Sequence, residues 1–285
     1  MATDALIERI RRAPSPRIRR QLADAGIDPA RFAAGDLSRV APLDPSSLDL
    51  DRLDDPVAEL RLADAPPPVR LGTCERAGAT IVLTWTGRDL ARIAATGAAM
   101  LRRAGVAPGM KVANTLEGGF ATPGSLALGD AAEALGALDV PLGPAGEENA
   151  AAAVLDLLHR IAVDVLVLNA GTAQGLLPLL ASRPPRSLRG IVWLGLERPA
   201  IELPVPCRRW LSVPEVSVFA AIECERASFH LDPGTLPETI DERLLLTMLA
   251  GDAPVLRADA GIPARPLAAT CDCGVSGHAF RLPAP

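Results

Sequence analysis

IVLTWTGRDLARIAATGAAMLRRAGVAPGMKVAN, residues 81–114, decides the fold class. It opens on Ile81-Val-Leu-Thr-Trp85, a short apolar run that reads as a strand. Thr86-Gly-Arg-Asp89 follows as a helix start, and from Leu90 to Ala104 apolar residues recur at helical spacing. Gly105 stops that helix, and Lys111-Val-Ala-Asn114 is the next strand. The alternation continues downstream. Helices are expected over Ser125–Leu135, Ala150–Ile161 and Thr172–Ala181, the last with Pro178 inside it. Strands are expected over Asp139–Pro141, Val163–Asn169 and Gly190–Gly195. Strands alternating with helices of this length predict an α/β fold, a mainly parallel sheet covered by helices on both faces.

The flanks have a different texture. Residues 4–39 read as short helices broken by Pro14, Pro16 and Pro29, and Asp44 to Asp64 as a Pro- and Asp-rich surface segment. Arg9, Arg11, Arg12, Arg17, Arg19 and Arg20 form either a phosphate-binding arm or a solvated helix face, and the acidic stretch that follows favours the face. Beyond about residue 215 short β segments appear (218–223, 228–232, 243–249 and 255–257), with turns at Asp232-Pro-Gly234 and Gly251-Asp252. The expected organisation is a helical and irregular segment over 1–70, an α/β core over 71–215 and a small β-rich metal-binding subdomain over 216–285.

Composition excludes several classes. A net charge of −5 over 285 residues gives no electrostatic footprint for nucleic acid. No apolar run approaches the ~20 residues of a membrane span, and Met1-Ala-Thr-Asp-Ala5 lacks the cationic start of a secretory leader. The expectation is a soluble, cytoplasmic protein with no nucleic-acid or membrane partner. The chain has no tyrosine, and Lys111 is its only lysine, so no lysine serves as a cation or Schiff base in the C-terminal half.

Five cysteines, an odd number, fit a reducing compartment better than a disulfide framework. Cys224, His230, Cys271 and Cys273 form a Cys-x5-His step followed by a distant Cys-x-Cys, two chelating pairs that one fold can bring onto a tetrahedral zinc ion. The bland alternative is a set of small buried cysteines and a surface histidine. His278 is an alternative fourth ligand. His159, at the end of an apolar helix with Asp156 three residues earlier, reads as ordinary helix chemistry.

The order of motifs resembles the phenylacetate–CoA ligase branch of the adenylate-forming enzymes. The resemblance rests on Trp85-Thr-Gly-Arg-Asp-Leu90, Ala104-Gly-Val-Ala-Pro-Gly109, Asn114…Gly118-Gly119…Thr122-Pro-Gly124, Leu135-Gly-Ala137…Pro141, Ala221-Ile-Glu-Cys224, Leu244–Leu249 and Cys271-Asp-Cys-Gly274. It covers about residues 5–282 and implies the large N-terminal domain of such a ligase, without the C-terminal domain of roughly another hundred residues. That family builds an acyl-adenylate from ATP and a carboxylic acid, then a thioester with coenzyme A. Its phosphate loop, a flexible Ser/Thr/Gly segment with a lysine, matches Leu71–Thr80. Gly72, Thr73, Gly78 and Thr80 survive there, and Glu75 sits where phosphate belongs. Its aromatic-Gly-x-Ser/Thr-Glu segment matches Leu211–Glu215 with only Glu215 kept. Its Arg-Tyr-Arg-Thr-Gly-Asp segment matches 257–262 with Arg257 and Gly261 kept and Ile262 where the ribose-binding aspartate belongs. The comparison therefore implies a degenerate nucleotide site (Gly72, Thr73, Glu215, Arg257), with neither ATP nor CoA expected to bind, beside a retained structural zinc set.

The resemblance places the acyl pocket beside the Asn114–Gly124 loop. Asn114, Gly118, Gly119, Thr122 and Ser125 are the candidate substrate-binding residues. Glu117 and Asp130 are candidate acid/base groups where desolvated, with solvated surface positions as the alternative. The expected function is that of a repurposed ligase scaffold. It binds a hydrophobic acyl or aryl metabolite of natural-product biosynthesis and converts it by cyclisation, isomerisation or dehydration, and a homodimer is one assembly this reading allows. The competing readings are a non-catalytic partner of a ligase or carrier-protein system and a residual acyl-adenylate-forming ligase.

Overall fold

The computed structural model describes residues 2–119, 124–145, 148–267 and 271–283. Its helices are α1 (Ala2–Arg12), α2 (Pro16–Asp24), α3 (Gly87–Arg103), α4 (Ser125–Leu135), α5 (Glu148–Ile161), α6 (Ala170–Ala173) and α7 (Leu176–Ser182). Its first strands are β1 (Arg70–Arg76), β2 (Ala79–Trp85), β3 (Lys111–Asn114), β4 (Leu138–Pro141), β5 (Val165–Asn169), β6 (Gly190–Leu194) and β7 (Cys207–Val213). They are followed by β8 (Ser217–Glu223), β9 (Phe229–Leu231), β10 (Thr235–Ile240), β11 (Arg243–Met248), β12 (Ala258–Pro263), β13 (Arg265–Pro266) and β14 (Ala279–Arg281). These elements build two compact units. One is drawn from Met1–Arg92, Val213–Ser217 and His230–Pro285, the other from Ile93–Ser212 and Val218–Phe229.

The second unit holds the mainly parallel sheet, in the order β8-β7-β6-β5-β3-β4. β3 pairs in parallel with both β4 and β5, β5 with β6, and β6 with β7. The all-apolar run Val165-Leu-Val-Leu168 is buried on both faces, as a central parallel strand requires. On one side, Leu155 and Leu158 of α5 and Leu176 and Leu180 of α7 pack with Leu166, Leu168, Ile191 and Trp193 into one core. Each such side chain contributes roughly 1.5–3 kcal/mol by leaving water. α4 owes its close packing to Ala127, Ala131 and Ala132, all fully buried. Gly97 in mid-α3 answers it: a Cβ there would stand 2.5 Å from Ala131 Cβ and 2.5 Å from the Phe219 ring.

The first unit contains the β1–β2 hairpin, the antiparallel sheet β10-β11-β12 and the strand trio β13-β14-β9. α1 presents Leu6, Ile7 and Ile10 at helical spacing, and these pack with Ile18 and Leu22 of α2, Phe32, Val40, Leu62 and Leu256. At the start of α3, Thr86 and Asp89 close a reciprocal cap. Asp89 N donates to Thr86 Oγ1 at 3.2 Å, and Thr86 N donates to Asp89 Oδ2 at 3.0 Å.

Three local expectations are corrected. Residues 71–80 are not an open loop: β1 and β2 pair without interruption from Arg70↔Trp85 to Arg76↔Ala79. Only Ala77 and Gly78 remain at the turn, both with positive φ (51° and 76°), the geometry whose twist suits a two-residue hairpin. The helix expected over 172–181 is two helices, and Pro178 falls in the first turn of α7, where its missing N–H costs no helical hydrogen bond. Val255–Arg257 is not a strand, because Arg257 takes φ +50° and pairing begins only at Ala258. β7 and β10 were not anticipated. Cys207-Arg-Arg-Trp carries two charges that mask its β pattern, and Pro237 interrupts β10.

Candidate functional site

The Cys/His set converges. The ligand atoms of Cys224, His230, Cys271 and Cys273 all lie within 4.8 Å of one another, and the first three residues are buried. Each donor is placed by a short-range device. Cys224 follows β8 and begins a turn in which its N–H donates to Ser228 O at 2.9 Å and its carbonyl accepts from Ala227 N at 3.1 Å. Ala227 takes φ +54°, and Arg226 N points at Cys224 Sγ at 3.4 Å. The same hairpin runs on into β9, which carries His230. Cys271 and Cys273 lie between β13 and β14 in a tight turn closed by Gly274 N donating to Cys271 O at 3.0 Å, with Gly274 at φ +78°. His230 Nε2 is 3.1 Å from Cys273 Sγ. Tetrahedral zinc holds such donors ~3.5–3.8 Å apart, given bond lengths of ~2.0–2.3 Å. Three thiols and one imidazole in this arrangement are suited to hold a metal ion. His278 is exposed and outside the group.

The residues matched to a nucleotide site are engaged elsewhere. Gly72 and Thr73 lie on β1. Thr80 Oγ1 donates to its cross-strand neighbour Glu75 at 2.6 Å. Arg76 donates from Nε to Glu215 Oε1 at 3.1 Å and from Nη2 to Asp259 O at 3.0 Å. Glu215 is fully buried as a side chain. Burial pushes its carboxyl above the usual range, and Arg76 pulls it back only in part. Burial, with Glu215 adding, pushes the nearby Cys74 thiol up to about 12, so it stays protonated. Arg257 is 3% exposed. Its Nε donates to Glu238 Oε2 at 2.9 Å, and Nη1 donates to the carbonyls of Ser38 and Val40.

Five of the six arginines of the basic N-terminal cluster are likewise engaged, and Arg19 is exposed. Arg9 donates to Asp252 and Asp64, Arg12 to Asp64, and Arg11 to Phe32 O. Arg17 donates to Ser47 O and pairs with Glu59, as does Arg20. His159 and Asp156 are exposed and share Arg183, through its carbonyl and its guanidinium respectively.

At the carboxyl end of β3, where β4 and β5 diverge to either side, Asn114 is fully buried. This is the switch point at which open α/β sheets hold ligands. Its Nδ2 donates to Ser125 O at 3.0 Å, Ser125 Oγ at 3.1 Å and Asp139 Oδ1 at 3.3 Å, while Oδ1 accepts from Leu116 N at 3.2 Å. Asn114 and Ser125 are therefore brought together. Glu117 and Gly118 are exposed, Asp130 and Gly119 are half-buried, and Thr122 lies outside the described residues. Glu117 lacks the desolvation an acid/base role needs. Asp139 has it: burial raises its carboxyl above the usual range against the Asn114 hydrogen bond, and Glu133 raises it further. Sequence reasoning missed Asp139, although a carboxylate in the parallel strand Leu138-Asp-Val-Pro141 is itself a signal.

A second feature of this unit was not anticipated. A cavity of about 570 Å³ opens at the carboxyl ends of β5 and β6. Among the described residues, no helix is long and apolar enough to cross a membrane.

No protein-family model matches the sequence, and no curated protein matches it. Solved structures do. A 2-hydroxyisobutyryl-CoA ligase (HCL), crystallised in an open conformation with 2-HIB-AMP and CoA, matches with a TM-score of 0.79 at 18% identity, covering 99% of this chain and 68% of that one. VinN in complex with L-aspartate matches with a TM-score of 0.52 at 15% identity over 70% of this chain and 55% of that one. The N-terminal domain of FACL13 from Mycobacterium tuberculosis matches with a TM-score of 0.50 at 12% identity over 66% and 53%. At these identities the likeness concerns the fold, which is that of the N-terminal region of adenylate-forming enzymes.

Proposed function

We propose that this chain, built on the N-terminal fold of the adenylate-forming enzymes, works without ATP. It binds a hydrophobic acyl or aryl metabolite and converts it by an intramolecular step such as cyclisation, isomerisation or dehydration. The observation that carries this reading is the closed β1–β2 hairpin. A phosphate cradle needs several consecutive backbone N–H groups free to converge on the ligand. Here the residues of that segment are paired across the hairpin, and two are left at the turn. Glu75 adds a negative charge, and a carboxylate ~4 Å from a phosphate is repulsive by about 1–4 kcal/mol. The guanidinium groups of Arg76 and Arg257, which would otherwise answer phosphate, are committed to Glu215, Glu238 and backbone carbonyls. Losing several contacts of about 1–3 kcal/mol each removes powers of ten in affinity.

In this reading the Cys224/His230/Cys271/Cys273 group holds a structural zinc ion. All four ligands are protein side chains, which leaves no open position for substrate.

Calorimetric titration with magnesium ATP tests the proposal, together with carboxylate-dependent pyrophosphate exchange. The expected results are a flat titration at millimolar nucleotide and no exchange, with acyl or aryl metabolites turned over in the absence of ATP. Saturable ATP binding, or exchange above background, would overturn it.

A further inference from the structure

Part of the basic N-terminal cluster and part of the acidic stretch behind it line one cavity of about 430 Å³. Every residue of its wall belongs to the first unit. The volume suits a small organic molecule. Six of the nine wall residues are charged: Arg17 and Arg20 on α2, then Arg52, Asp54, Asp55 and Glu59. A hydrophobic ligand would take water from these groups and give nothing back, so the cavity suits a polar one.

The two signs balance in number but not in place. Arg17 and Arg20 share a single oxygen of Glu59. Arg17 Nε lies 3.0 Å from Oε1, and Arg20 Nη2 donates to the same atom. Two guanidinium groups on one carboxylate leave a positive charge unanswered on the α2 side. Burial holds the Arg17 guanidinium below its ordinary range, Glu59 works against that, and the Arg20 charge lowers it further. Arg17 Nε is buried and out of line for a hydrogen bond to Glu59, and it makes no other. Arg20 is 50% exposed, so its remaining donors are open to a ligand. Arg52, 69% exposed, pairs loosely with Asp49 at 3.7 Å, and Asp49 is not a wall residue. The loop after Arg52 carries the opposite surplus. Asp55 spends Oδ1 on Val57 N and Ala58 N, at 3.1 and 3.0 Å. Asp54 is exposed and makes no ion pair among the described residues.

We infer that this cavity binds a small zwitterion, its oxyanion on Arg20 and its ammonium on Asp54. An anion alone would meet three carboxylates in these walls, and a cation alone three guanidinium groups. A molecule carrying both charges answers the surplus on each side. The inference is independent of the acyl or aryl reading, and it gives the arginines that follow Pro16 a ligand as well as internal partners.

The probes are the unbranched ω-amino acids from glycine to 5-aminovalerate, with butyrate and butylamine carrying one charge each. They are titrated against the whole chain at low ionic strength, where exposed charges are least screened. Binding is followed by NMR through the backbone amide signals of Leu53, Asp54 and Asp55. One chain length is expected to saturate with a dissociation constant of about 1 mM or below and to bind more tightly than butyrate or butylamine. Arg20→Gln is expected to weaken that zwitterion about fivefold, and Asp54→Asn about two- to fivefold. Arg20→Gln leaves Glu59 its contact with Arg17, and Asp54 is exposed, so both variants keep the fold that the titration needs. Arg19→Gln removes an exposed arginine that is not in the wall, and it is expected to bind as the parent does. The inference is overturned by unmoved amide signals at about 10 mM of every chain length, or by butyrate or butylamine matching the best zwitterion. Unchanged affinity in Arg20→Gln or in Asp54→Asn, or an equal loss in Arg19→Gln, overturns it as well.

Discussion

Chelation, which tests the zinc proposed for the Cys224/His230/Cys271/Cys273 group, is the perturbation with the largest expected effect. Three thiolates and an imidazole carry a charge of −3 without an ion and −1 around Zn²⁺. Two thiolates separated by at most 4.8 Å repel by at least about 3 kcal/mol at an effective dielectric of ~20. Three such pairs repel by roughly 10 kcal/mol, more than a marginally stable domain can absorb. Zinc binds the thiolate form, so zinc binding releases protons and its affinity rises with pH. With free zinc at about a thousand times its dissociation constant, the ion contributes about 4 kcal/mol to stability. For a chain of this size that corresponds to a Tm change of roughly 8–16 °C. The assay is elemental analysis of the purified protein, then scanning calorimetry before and after chelation at two pH values. Cys273→Ser is expected to reproduce the chelated behaviour, and His278→Ala to behave as the parent, since His278 is exposed and outside the group. Protein prepared in zinc-containing medium that carries no stoichiometric metal, or whose Tm ignores chelation, would refute the reasoning.

Gly97→Ala forces a Cβ to within 2.5 Å of Ala131 Cβ and the Phe219 ring. Phe219 cannot swing away because it stacks on Trp210 with centroids 4.6 Å apart, so denaturant unfolding is expected to show a loss of about 3 kcal/mol or more; a loss under ~1 kcal/mol would contradict this packing. Arg257→Gln strips partners from Glu238 and from the carbonyls of Ser38 and Val40. A fall in stability of about 3 kcal/mol is expected, measured by urea unfolding, with metabolite affinity unchanged in the fraction that remains folded. Burial alone would raise Asp252, but hydrogen bonds from Thr86 and Arg9 and the Arg88 charge outweigh it and hold the carboxyl below the usual range. A depressed carboxylate contributes stability above its unfolded pKa and loses it as pH falls through the folded value. Asp252→Asn is therefore expected to flatten the acid limb of a stability–pH profile; an unchanged acid limb would remove Asp252 from that role. Glu215 runs the other way. Its carboxyl is raised by burial, so its contribution is present at low pH and is lost as pH rises through the folded value, and Glu215→Gln should remove that alkaline-going decline.

Much of the architecture follows from local rules acting on local sequence. Period and capping residues delimit α4 at Ser125–Leu135 and place β3 at Lys111–Asn114, because hydrophobic spacing and glycine stops act within a few residues. The four positions suited to hold a metal ion were legible for a related reason: thiol and imidazole groups at chelating spacing are chemically conspicuous wherever they occur. The β1–β2 hairpin was not, since Gly72–Thr80 has the composition of a loop and becomes two strands only by pairing with itself in register.

Spacing alone named the donors and left His278 open as an alternative fourth ligand. That Cys224, His230, Cys271 and Cys273 stand together without His278 was decided by the hairpin after β8 and the turn at Gly274, which set distances no linear pattern contains. Arg257 makes the same point. Its identity in the sequence suits a phosphate, yet its side chain ends on Glu238 and two carbonyls from residues 38 and 40. A charge takes whichever partner the fold brings within 3 Å or so, and burial makes leaving it alone the costliest outcome. Sequence determined which groups the chain owns and how it winds locally, while tertiary structure decided which of those groups are spent inside the protein and which still face a ligand.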